Sequence, residues 1–199
     1  MYRLFYDFKT NGDVLFLVYE PETEPDTIKE GSNVTGLFKE GRFIGANFFQ
    51  IGEVVKLKTS GMIVTPDDAL IDVLNTILKQ NGLPELPYCR DSGYKVAKIV
   101  ALEEHPLDEK AQIVTLSLGD RQIETFSRYP NLEVGKNVVV ALDGTIKFDG
   151  TTFHASIIRN IHHDADIASG KELHLNEDYK NAFVVEGEKE GNDFFLASF

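Results

Sequence analysis

Only one stretch of this chain spaces its apolar residues as a helix does; the rest is short β-type runs broken by turn residues. That contrast restricts the fold to a mostly β class with one helix in its first half. The helical stretch is 65–82. Thr65-Pro66-Asp67-Asp68 offers an N-cap, a proline at the first helical position and acids in the first turn. Leu70, Ile71, Leu74, Ile77 and Leu78 then form one apolar stripe, and Asn81-Gly82 closes the helix. Pro84 and Pro87 follow, and 82–93 reads as a linker. Ahead of the helix, β-rich runs at 4–8 and 14–19 flank an Asn11-Gly12 turn signal. The acidic, proline-punctuated stretch 21–25 reads as an exposed loop. Runs at 34–38 and 43–49 flank Lys39-Glu40-Gly41-Arg42 as a second hairpin, and 54–57 reads as a further strand. Residues 1–90 are therefore expected to form an α+β domain.

The second half keeps a β rhythm throughout. Strands are expected over 96–102, 113–118, 123–126, 138–142 and 152–158, with turns at Gly119-Asp120 and Asp149-Gly150. Five short strands at this spacing describe a small barrel, and pattern alone leaves an SH3-like barrel open.

Charge narrows the partners. The chain carries a net charge of −12, whereas a nucleic-acid binder needs cations to displace counterions from phosphates. The excess is even: residues 1–90 and 91–175 each hold 9 basic and 13 acidic residues, and 176–199 hold 2 and 6. Any RNA site has to be a local patch. The single cysteine, Cys89, excludes a disulfide within the chain. No apolar run is long enough to span a membrane, the first residues lack a secretory signal, and a cytoplasmic protein is expected. The tail 186–193 is acidic and expected to be exposed, with Phe194-Phe195-Leu196 beyond it free to fold back or cover a partner. His154, His162, His163, Asp164 and Asp166 are metal-ligand types, but adjacent histidines in a loop are not a zinc spacing. Glu103-Glu104-His105 has no nucleophile motif beside it, and no glycine-rich phosphate loop occurs. Neither cofactor, metal nor catalytic residue is expected.

A set of residues in fixed order says more. Lys98 opens a Lys-Ile-Val strand; His105-Pro106, Gly119, Pro130-Asn131, Gly135, the run 138–141, Gly144, Arg159, and Ser169, Lys171, Glu172 and Leu173 follow in turn. Over roughly 94–175 this order resembles the EMAP-type tRNA-binding module of the phenylalanyl-tRNA synthetase β chain. The whole chain resembles the YtpR family, in which a domain of unassigned function precedes that module. Two departures stand out. Where the family carries Gly-Val-x-Ser-x-Gly-Met after the arginine, this chain has Asn160-Ile161-His162-His163-Asp164-Ala165-Asp166, and Arg128-Tyr129 replace a Gly-Ala.

The resemblance implies a five-stranded OB-fold barrel in an RNA-binding domain over 94–199, and a non-catalytic protein whose partner is tRNA or another structured RNA. Such a barrel binds with cations for phosphates, aromatic faces for bases, and amides or hydroxyls for base edges. Lys98, Arg121, Arg128, Arg159 and Lys171 are the candidate cations, Tyr129 the stacking ring, and Ser127, Asn131 and Ser169 the polar readers. Arg128-Tyr129 is the favoured contact pair. The loop 160–166 is expected on the RNA-facing surface, where its aspartates would repel phosphate. The altered loop and the acidic charge leave a protein-interaction module with a degenerate RNA site as the alternative. Related barrels pair through their ends, which admits a homodimer.

Overall fold

The computed structural model describes residues 1–196, so the last three residues of the expected 94–199 domain lie outside the described residues. The chain divides into two compact units, residues 1–90 and the remainder from Asp91 onward.

In the first unit the elements are β1 (Arg3–Tyr6), α1 (Phe8–Asn11), β2 (Val14–Val18), β3 (Thr27–Glu30), β4 (Val34–Lys39), β5 (Arg42–Phe49), β6 (Gly61–Ile63) and α2 (Asp68–Gln80). The strands form one antiparallel sheet in the order β3-β4-β5-β2-β1-β6. Glu40 and Gly41, with φ of 49° and 76°, make the β4–β5 turn as the sequence predicts. Leu70, Ile71, Leu74 and Leu78 of α2 are buried with Leu4, Leu15, Leu17, Val34 and Phe48, the packing that its apolar stripe demands.

Three local expectations are corrected. The helix cap is Asp67, whose side chain accepts from the Leu70 amide at 2.8 Å, so the cap of α2 lies two residues after the Thr65 cap read from the sequence. The strand expected over 54–57 is absent; Ile51–Glu53 forms a short 3-10 turn, and the chain rejoins the sheet at β6, on the free edge of β1. The expected linker belongs largely to the first core. Leu83 and Leu86 are buried, and Asn75 holds both the Leu86 carbonyl (2.9 Å) and amide (2.6 Å). Edge strand β3 was missed, because 27–30 has no buried side to impose an alternating pattern.

The second unit holds β7 (Tyr94–Glu104), β8 (Gln112–Ser117), β9 (Gln122–Ser127), β10 (Asn137–Leu142), β11 (Ser156–Ile158), β12 (Ile161–His163), β13 (Ala165–Ile167) and β14 (Val184–Val185). Its main antiparallel sheet runs β13-β10-β7-β8-β9, with β14 also on β10. Ala97, Ile99, Val114, Leu116, Val138, Val140 and Ile167 form its core. No ladder joins β13 to β9. What bridges β9 to β13 and the residue before it is a set of single bonds: Asp164 N–H to Glu124 O at 2.9 Å, Glu124 N–H to the Asp164 carboxylate at 3.2 Å, and the Thr125 hydroxyl donating to Ala165 O at 2.5 Å.

The first four expected strands of this half are present, but the fifth is not where the sequence placed it. Within 152–158 only β11 is a strand, and it pairs with β12 in a separate hairpin. The fifth strand of the main sheet is β13. The expected loop 160–166 is therefore mostly strand, and Asp166 pairs with Ala141 of β10. The acidic tail is also not free. Gly191 N–H donates to Val96 O (2.8 Å), Val96 N–H to Asn192 O (2.9 Å) and Phe194 N–H to Tyr94 O (2.9 Å), so this segment lies along the start of β7. Asp193 fixes it there by accepting from the Ser92 amide and hydroxyl, each at 2.7 Å, and from Lys95 at 3.1 Å.

Candidate nucleic-acid interface

The anchor of the site is a Ser-x-x-Glu pattern. The Glu172 carboxylate accepts from the Ser169 amide at 2.8 Å, while the Ser169 hydroxyl accepts from the Glu172 amide at 3.3 Å and donates back at 2.7 Å. This is the reciprocal arrangement of a capping box, here closing the turn that follows the main sheet. The Tyr129 phenol donates to the same Glu172 oxygen at 2.6 Å. Burial opposes ionisation of Glu172, but the bonds from Tyr129 and Ser169 outweigh it and hold the carboxyl below its usual range. Burial first, and the Glu172 bond second, push the Tyr129 phenol above its ordinary value.

Tyr129, Ser169 and Lys171 meet around a cleft of about 340 Å³. Its other walls include Lys147, Phe148, Asp149, Asp166, Glu172, His174 and Tyr179. Phe148 and His174 stack with ring centroids 4.6 Å apart. The Tyr179 ring is exposed, with the ammonium groups of Lys171 and Lys180 each 5.7 Å from its centre. Lys147 lies 3.1 Å from Asp166; burial alone would lower its pKa, and the Asp166 charge reverses that and raises it.

The remaining predicted residues are distributed differently. Ser127 ends β9, and its hydroxyl accepts the Tyr129 amide at 3.2 Å. Arg128 is largely exposed and engages Asp108 at 2.6 and 2.7 Å. Lys171 is 3.6 Å from Glu177. Asn131 uses both ends of its amide on the Ala182 backbone, at 2.9 and 2.8 Å. Lys98 pairs with Ser117, which pairs with Gln122, whereas Ser127 pairs with Gln112 opposite Glu104. Lys98 and Ser127 therefore stand at opposite ends of these strands, about 17 Å apart along them, and Arg128 follows Ser127. Arg159 and Asn160, with φ of 52° and 67°, form the tip of the β11–β12 hairpin, away from the cleft lining. Arg121 lies exposed in the β8–β9 turn.

Sequence reasoning missed Lys147, Phe148, His174 and Tyr179 as site residues. None lies in a motif, and the turn at Asp149-Gly150 was the sole local signal near the first two. The histidine loop takes other roles. His163 stacks on Phe126 at 4.6 Å with its Nδ1 2.8 Å from the Thr125 hydroxyl, and His162 is 3.4 Å from Asp164. Among the described residues no three His, Cys, Asp or Glu side chains converge as a metal site.

Comparison with known proteins falls into two parts. Residues 21–86 match a family model described as a domain of unknown function, DUF4479. The putative tRNA-binding protein YtpR of Bacillus subtilis is 27% identical over 96% of this chain and 98% of its own length. A phenylalanine–tRNA ligase beta subunit of Bacteroides thetaiotaomicron is 28% identical over 63% of this chain, which spans 16% of that subunit. A solved MetRS related protein from Pyrococcus horikoshii superposes with a TM-score of 0.34 at 9% identity, covering 49% of this chain and 84% of its own, too low to assign a fold. No helix among the described residues is long and apolar enough to cross a membrane. The resemblance read from the residues is borne out: this chain is similar to YtpR along nearly its whole length, and in part to the phenylalanine–tRNA ligase beta subunit.

Proposed function

We propose that this is a non-catalytic, cytoplasmic protein that binds tRNA or another structured RNA through the unit beginning at Asp91. That unit is read as an OB-fold barrel whose seam between β13 and β9 is closed by Asp164, Glu124 and Thr125 rather than by a ladder. The observation that carries the reading is the cleft, where three predicted contacts, Tyr129, Ser169 and Lys171, meet further aromatic rings and cations. Stacking faces flanked by lysines are what unpaired RNA requires. The names of the YtpR and ligase relatives point to the same ligand. Lys98, Ser127, Arg128, Tyr129, Asn131, Arg159, Ser169 and Lys171 are the proposed contacts, of which Tyr129, Ser169 and Lys171 line the cleft. Anisotropy titration with bulk tRNA at low salt tests this. Saturable binding at micromolar protein that weakens in an Arg128→Glu, Lys171→Glu double variant is the expected result. No binding at tens of micromolar rejects it.

A protein-interaction role is favoured by a different observation. Arg128 and Lys171 each face an acid, and the β11–β12 hairpin exposes Ile157 and Ile158. Light scattering decides on the homodimer: a dimer that lacks tRNA affinity and dissociates on Ile157→Ser supports this second reading.

A further inference from the structure

The cleft is sized for a small planar ligand rather than for a duplex. One wall is the stacked Phe148–His174 pair, and the exposed Tyr179 ring offers a second aromatic face. The polar residues of the same lining include three carboxylates, Asp149, Asp166 and Glu172, beside Lys147 and Lys171. The three bonds to the Glu172 carboxylate all arrive at Oε2, the Lys147 ammonium reaches Oδ2 of Asp166, and the Thr151 bonds arrive at Oδ1 of Asp149. The second oxygen of each carboxylate accepts none of these bonds. A phosphate is repelled by such a wall, but a base edge rich in N–H groups is not. Guanine presents N1–H and its 2-amino group side by side, two adjacent donors for the open oxygens of two neighbouring carboxylates. Adenine and cytosine present one amino group beside a ring acceptor, and uracil a single N–H between two carbonyls. We propose that the cleft is a single-base pocket for an unstacked guanine, its N1–H edge on the carboxylates, its ring against Tyr179 or Phe148, and its flanking phosphate on Lys171 and Lys180. The source of that base rests on the RNA-binding reading above.

The test uses the isotopically labelled full chain titrated with GMP, AMP, CMP and UMP, followed by amide resonances, beside tRNA anisotropy on the same sample. GMP is expected to shift Phe148, His174 and Tyr179 most, and to bind about tenfold or more tighter than UMP, the scale of one bidentate base contact. Tyr179→Ala, at an exposed position outside the core, weakens GMP about fivefold or more. Asp166→Asn reduces the preference for GMP over UMP. Equal binding of the four nucleotides, or no shift at the cleft while tRNA still binds, overturns the guanine pocket and leaves the RNA reading standing. Selective GMP shifts without tRNA binding support the pocket and overturn the RNA reading instead.

Discussion

At the residue scale, the site is organised by hydrogen bonds that serve structure before any ligand arrives. Glu172 gathers Tyr129 and Ser169 onto one oxygen, so the stacking ring is held by its hydroxyl. Tyr129→Phe keeps the ring and removes that bond, and is expected to cost about 1–2 kcal/mol by urea denaturation. The pH dependence has a definite sign. A phenol whose folded pKa is raised contributes stability that is complete below its unfolded value of 10.0 and is lost as pH climbs above it. Wild type should therefore weaken between pH 10 and 11 more steeply than the phenylalanine variant. Asn131 shows the same priority, because its amide closes on the Ala182 backbone. Asn131→Ala is expected to lose about 2 kcal/mol through two orphaned backbone groups, measured as a lower denaturation midpoint. If Asn131 only braces Ala182, tRNA affinity measured well below that midpoint stays the same.

At the element scale, the hairpin of β11 and β12 separates two roles that a single arginine can have. Arg159 occupies the left-handed region at the turn, where a side chain costs about 1–2 kcal/mol relative to glycine. Arg159→Gly is expected to leave thermal stability unchanged or slightly raised. If the guanidinium holds a phosphate, the same variant lowers the salt slope of tRNA binding by about one. At the other end of the unit, Gly191 illustrates why the acidic tail docks. Its φ is 89°, and a Cβ there would collide with the Leu118 carbonyl oxygen, so only glycine lets the tail run against the sheet.

On the scale of the whole molecule, a net charge of −12 opposes any polyanion. The ion pairs of Arg128 with Asp108 and Lys171 with Glu177 do not settle the matter against RNA. Both cations are more than half exposed, and pairs of that kind contribute only about 0–1 kcal/mol, so a phosphate can replace the acid at small cost. Four cations, Lys98, Arg128, Arg159 and Lys171, give an expected log–log salt slope of about −3, which tRNA titrations over a range of potassium concentrations measure. A slope near zero would mean that none of them reaches a phosphate.

What the sequence determined by itself was local. The α2 stripe, the Glu40-Gly41 turn and the runs that became β7 to β10 each follow from neighbours a few residues apart, where side-chain period and turn chemistry act. Only the tertiary structure decided that 165–167 rather than 152–158 joins the main sheet, that Leu83 and Leu86 leave the linker for a core, and that the tail lies along β7. It also decided the cleft, which draws on residues from Tyr94 to Tyr179. Such meetings depend on register between strands distant in the chain, and a period of two is the same for every partner a strand might choose.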